Sequence, residues 1–228
     1  VFSPVLTTLP GVPLPKLAEH KFLELFFCFC LTSLWLCGIV HGEREGKRML
    51  HRHNRRHKVE IQNVHRETLP ALKLVGKKYT NTDRVNGGYG AHWHTWFEND
   101  WFEQLEALPQ PTGAAESGFL GFMRCNGNDE DFEYWIGLFV SSKSPVPEGF
   151  AALDLPAGEV GVCWLHGREK DGIFSQHNRC EEELEKQGWE FFYDANGYKL
   201  FFERYNCPRW TTPDEKGQVI LDYAIFIK

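Results

Sequence analysis

The chain has 228 residues, 42% hydrophobic and 25% charged, with a formal net charge of −6, long enough for one or two globular domains and too hydrophobic for a disordered chain. Residues 1–58 hold nine Lys and Arg against four Asp and Glu, and the remainder holds 16 against 27. The larger part is therefore acidic, which favours cationic ligands or serves solubility, and it lacks the basic stripe of a nucleic-acid binder.

Residues 22–40 are nearly all apolar, with only Glu24 charged, about the shortest stretch that crosses a bilayer. The Arg- and Lys-rich flank at 44–58 would then face the cytoplasm, with the domain behind it. A signal peptide is the rival reading, though its charge would lie on the wrong side; a third reading starts the natural protein near Met49. On every reading 1–57 lies outside the domain, which spans 58–228. The expected location is cytoplasmic, with membrane contact only if 22–40 is an anchor. His51, His53 and His57 sit among arginines without a carboxylate or Cys at ligand spacing, so they read as a solvated tail and not a metal site.

Within 58–228, Leu69-Pro70-Ala71 opens an apolar-rich run ending near Tyr79. Proline is excluded from central strands, so it marks a bend feeding a new strand. Gly87-Gly88-x-Gly90 lacks the Lys-Ser/Thr of a phosphate loop and reads as a linker. Trp93, Trp96, Phe97, Trp101, Leu105 and Leu108 predict one helix over 91–108. His92 and His94, two apart, do not share a helix face and so make no two-His metal site. Strands are expected at 118–125 and 131–140 around the turn Asn126-Gly127-Asn128-Asp129, followed by a loop at 141–148.

The order then repeats. Leu155-Pro156-Ala157 opens a run ending near His166. A helix is expected over 172–187, with a solvated face of Glu181, Glu182, Glu183 and Glu185 and Gly188 at its end. Strands follow at 197–205 and 218–228. The closing strands match in detail, Glu133-Tyr134-x-Ile136 against Asp222-Tyr223-x-Ile225. The predicted fold is α+β: duplicated strand–helix–strand–strand units, an antiparallel sheet with two helices, and a ligand groove on the pseudo-two-fold axis.

Strand alternation puts Phe201, Glu203 and Tyr205 on one face and Leu200, Phe202 and Arg204 on the other. A Glu between two aromatics on one sheet face suits a ligand site. The plainer reading is a pair with an arginine or a solvated edge carboxylate. Tyr134 and Trp135 point to opposite faces of their strand, so only one of them meets a given groove. Trp164, Tyr223 and Trp96 complete the candidate walls, since aromatic rings hold flat or cationic molecules; ordinary core packing is the alternative for each. The 14% aromatic content, with 8 Trp and 18 Phe, fits either use. Seven Cys without a CxxC pair read as reduced thiols.

The double unit, the Leu-Pro-Ala bends, Phe132-Glu133-Tyr134-Trp135-Ile136-Gly137, Phe202-Glu203-Arg204-Tyr205 and the closing Ile220-Leu221-Asp222-Tyr223-x-Ile225-x-Ile227-Lys228 together resemble the GyrI-like, or effector-binding, domain family over about 58–228. The resemblance implies a groove that binds drugs or metabolites, as in the effector domains of AraC-type and MerR-type multidrug regulators, with Glu203 facing a lipophilic cation. No helix-turn-helix pattern is seen, so direct nucleic-acid binding is not expected. No cofactor is expected. Three roles follow from the resemblance. The first is a stand-alone binding module in drug or toxin response, using Glu203 with Trp135 or Tyr134, Trp164, Tyr205, Trp96 and Tyr223. The second is a hydrolase of cyclopropane-containing genotoxins, with Glu203 and Tyr205 as catalytic groups. The third is a protein–protein inhibitor of gyrase, for which Glu203 would be dispensable.

Overall fold

The computed structural model describes residues 58–111, 118–205 and 208–228; the apolar stretch 22–40 and the histidines at 51–57 lie outside them. Eight strands, β1 Glu60–Leu69, β2 Leu72–Thr80, β3 Phe119–Cys125, β4 Glu133–Ser141, β5 Ala151–Leu155, β6 Gly158–Gly167, β7 Lys199–Tyr205 and β8 Val219–Ile227, make one sheet. Every neighbouring pair is antiparallel, in the order β1-β6-β8-β7-β3-β4-β2-β5. Helices α1 Gly90–Glu98 and α2 Trp101–Glu106 follow β2, and α3 His177–Lys186 follows β6. Among the described residues no helix is long and apolar enough to cross a membrane.

The strand order is palindromic by half. The third strands of the two units, β3 and β7, meet in the middle, and each unit lends its leading strand to the other. Thus β1 pairs with β6 and β5 with β2. The axis falls where Phe122 and Phe202 pair, their rings near parallel at 6.2 Å. The expected α+β fold is found, with two more strands than expected. β1 is a mostly exposed edge strand rich in polar residues, and β5 has only five residues, so neither carries the apolar alternation that marks a half-buried strand.

The single helix expected over 91–108 is two. Asp100, at φ 51°, takes the left-handed conformation and stops the helical ladder between α1 and α2. α3 starts later than expected because Gly172, at φ 84°, and two short 3-10 turns precede it. Gly188 ends that helix at φ 78°, as a C-terminal glycine should.

Alternation sorts the core into two layers. The helix-covered face buries Trp93, Trp96, Leu105, Ile136, Leu184 and Leu221. The opposite face gathers both Leu-Pro-Ala corners, Leu69, Leu72 and Leu155, with Phe122, Phe139 and Phe202. Each such side chain contributes about 1.5–3 kcal/mol by leaving water.

Candidate functional site

Glu203 lies on the helix-covered face, one residue from the axis pair, with Tyr223 of β8 opposite on one side and Gly121 of β3 on the other. It is only 5% exposed. Its Oε1 is 2.9 Å from Nε2 of His177, and its Oε2 accepts from the Tyr205 hydroxyl at 2.8 Å. A carboxylate oxygen only accepts, so Nε2 carries the hydrogen of the first bond. The His177 ring stacks on Tyr223 at 4.5 Å and 19° and meets Phe201 edge-on. Tyr223 is fully buried, and burial, with the nearby acidic groups, pushes its hydroxyl well above the ordinary tyrosine range. It therefore stays neutral beside Glu203.

Gly121 keeps the space on the other side open. A Cβ there would come within 2.6 Å of the Tyr134 hydroxyl and 3.5 Å of Glu203 Oε2. That hydroxyl accepts from Trp93 Nε1 at 3.0 Å, and Trp93 packs edge-on against Tyr205 at 4.9 Å. Tyr89, just before α1, lies flat on Tyr134 at 4.0 Å. Glu203, Tyr205, Tyr223 and Tyr134 are thus brought together.

Three expected walls are elsewhere. Trp135 belongs to the opposite core layer, where its Nε1 donates to Glu133 at 3.0 Å. Trp164 packs on that layer too, under the Arg209 guanidinium at 4.6 Å and edge-on to His65. Tyr134 and Cys163, their neighbours, face the helices, so the two-residue period of a strand sends both tryptophans away from Glu203. Trp96 is on the helix side but fully buried against Trp101, Phe102 and Phe150, donating to the Tyr79 hydroxyl. It is a core residue of the first unit.

Glu203 is not paired with its neighbour Arg204, which points to the other face. There Arg204 makes a bidentate pair with Glu67 at 2.8 and 2.9 Å and bonds Asp222 Oδ2 at 2.9 and 3.1 Å. Burial opposes its charge, but the two carboxylates outweigh burial and hold its pKa above the ordinary arginine value. Arg124, its equivalent in the first unit, repeats the arrangement with Glu133 and Asp194. His177 was not anticipated; a lone histidine at a helix start gives no sequence signal. Gly121 had one, since glycine inside a strand marks a close approach. Among the described residues no group of three or more His, Cys, Asp or Glu could hold a metal ion.

No curated protein matches the chain significantly. The protein SAV2435 bound to tetraphenylphosphonium superposes with a TM-score of 0.53 at 15% identity, over 73% of this chain and 94% of that one. A proposed bacterial transcription regulation protein from Staphylococcus aureus MU50 gives 0.49 at 17% identity, over 73% and 98%. The EcmrR C-terminal domain gives 0.46 at 9% identity, over 73% and 97%. The family model of the GyrI-like small molecule binding domain matches residues 62–219. With the duplicated unit, the shared sheet and this match over most of its length, the chain belongs to the GyrI-like small molecule binding domain family.

Proposed function

We propose that this domain holds a lipophilic organic cation against Glu203, with Tyr205, Tyr134, Tyr223 and Trp93 as walls, and that it captures such compounds in a drug or toxin response. The observation that carries this reading is a nearly buried carboxylate met by an imidazole and a phenol, with no arginine or lysine on it among the described residues. Buried negative charge in aromatic surroundings is stabilised by a positive guest, and the rings add area and cation–π attraction. Tetraphenylphosphonium, the ligand of SAV2435, is a cation of this kind. Titration of the full chain with tetraphenylphosphonium, followed by tryptophan fluorescence, tests the reading. Saturable quenching is expected, weakened about tenfold by Glu203→Gln, the size of one charge-assisted contact. An unchanged signal in the wild-type chain would count against it.

A second reading is supported by the row Tyr205–Glu203–His177, which sets proton donors beside a carboxylate as acid–base chemistry requires. A hydrolase would add one water to a cyclopropane-bearing alkylator, seen by mass spectrometry and lost in Glu203→Gln. Recovery of every compound unchanged leaves the binding role.

A further inference from the structure

We propose that His177 sits in the seat of the ligand's positive group, so that the preferred ligand is a planar nitrogen cation, such as an amidinium or a protonated azine, that evicts the imidazole. This rests on the binding reading above. The His177 ring already makes the contacts such a guest would make. It lies near parallel to Tyr223 at 4.5 Å, edge-on to Phe201, and 2.9 Å from Glu203 Oε1 through Nε2. A flat cation bearing N–H groups replaces both the stack and the hydrogen bond. A tetrahedral ammonium replaces only the hydrogen bond.

The pseudo-symmetry sharpens the point. Each unit lays one ring from a helix start on the tyrosine of its closing strand, Tyr89 on Tyr134 and His177 on Tyr223. In the first unit both rings are phenols, and Met123 holds the position facing Tyr134 across the strands. Only in the second unit is the outer ring a nitrogen heterocycle, with a carboxylate at the corresponding place. His177 is also placed to leave. It is 7% exposed and is the first residue of α3, and the first N–H groups of a helix have no intrahelical partner to lose. Gly172, five residues earlier, turns the chain into the approach to the helix at φ 84°. The ring itself meets Glu203 and Tyr223, and Tyr205 bonds the other Glu203 oxygen; Cys180, Glu181 and, through its ion pair with Glu181, Lys199 lie beyond Tyr223 and Phe201.

The test uses the full chain with benzamidinium as the planar probe and tetraphenylphosphonium as reference. His177→Ala is expected to bind benzamidinium about tenfold more tightly than the wild type, because no internal ring has to be displaced. Free imidazole should raise its melting temperature and leave the wild type unmoved, and adding Glu203→Gln should remove both effects. In the unaltered chain, NMR of the His177 ring should move toward the signal of a solvated imidazole as benzamidinium saturates. Equal affinity in His177→Ala, or a ring signal unmoved at saturation, overturns the proposal. If tetraphenylphosphonium still depends on Glu203 in that case, the binding reading stands alone; if neither cation binds the wild-type chain, both fall.

Discussion

On β7, two adjacent charged residues point to opposite faces of the sheet. Arg204 is held by two carboxylates brought from β1 and β8, one of them bidentate. Glu203 is held by one imidazole from a helix start and one phenol from its own strand. Both are nearly buried, at 3% and 5% exposure. The first charge is neutralised by partners fixed in the sheet and cannot exchange them without breaking the frame. The second is met, among the described residues, only by a ring at a helix start and a hydroxyl on its own strand, and on the proposed reading its charge is what a guest would meet. Burial alone therefore does not distinguish these two charges; the partners and the elements that carry them do.

The largest expected effect tests the frame. Arg204→Met takes the bidentate partner from Glu67 and one of two arginines from Asp222, which keeps Arg209, and should cost about 3–5 kcal/mol in chemical denaturation. A loss under about 1 kcal/mol would remove the distinction between the two faces. Next, Gly121→Val drives new methyl groups into the Tyr134 hydroxyl and toward Glu203. It should cost about 1–3 kcal/mol and also weaken tetraphenylphosphonium binding, unlike Arg204→Met in its folded fraction. Glu203→Gln should show the opposite balance, with stability within about 1 kcal/mol of the wild type and affinity down about tenfold.

A separate effect, read against pH, concerns a third kind of carboxyl. Glu169, after β6, has a buried Oε1 with no hydrogen-bond partner among the described residues, and burial pushes its pKa up to about 8 from 4.5. The unfolded chain gives up this proton near the lower value and the folded chain near the higher one. The folded state thus binds more protons between them, and stability falls as pH rises across that window. Glu169→Gln should raise the melting temperature at about pH 9 and leave it unchanged at about pH 4, in parallel thermal scans.

Much of this was legible along the chain. The repeated Leu-Pro-Ala bends and the matched Glu133-Tyr134 and Asp222-Tyr223 pairs announce a duplication. The alternation in Leu200–Tyr205 puts Glu203 with Tyr205 and sends Arg204 away, as the structure has it. The same alternation separates Tyr134 from Trp135, but it does not say which of them meets Glu203. That depends on register across β3, where Gly121 stands opposite Glu203 and opens the way to Tyr134. Trp164 illustrates the limit. Its strand is plain in sequence, yet its face is fixed by pairing with Asp222 on β8.

The sequence by itself determined the unit, its repetition, and the face of β7 that carries an acid among aromatics, because these follow from two-residue periodicity and local turn chemistry. Tertiary structure alone decided the exchange of β1 and β5 between units, the break of the first helix at Asp100, and the arrival of His177 on Glu203, 26 residues earlier in the chain. These depend on which distant surfaces bury one another, and burial is a property of the assembled sheet and not of any stretch within it.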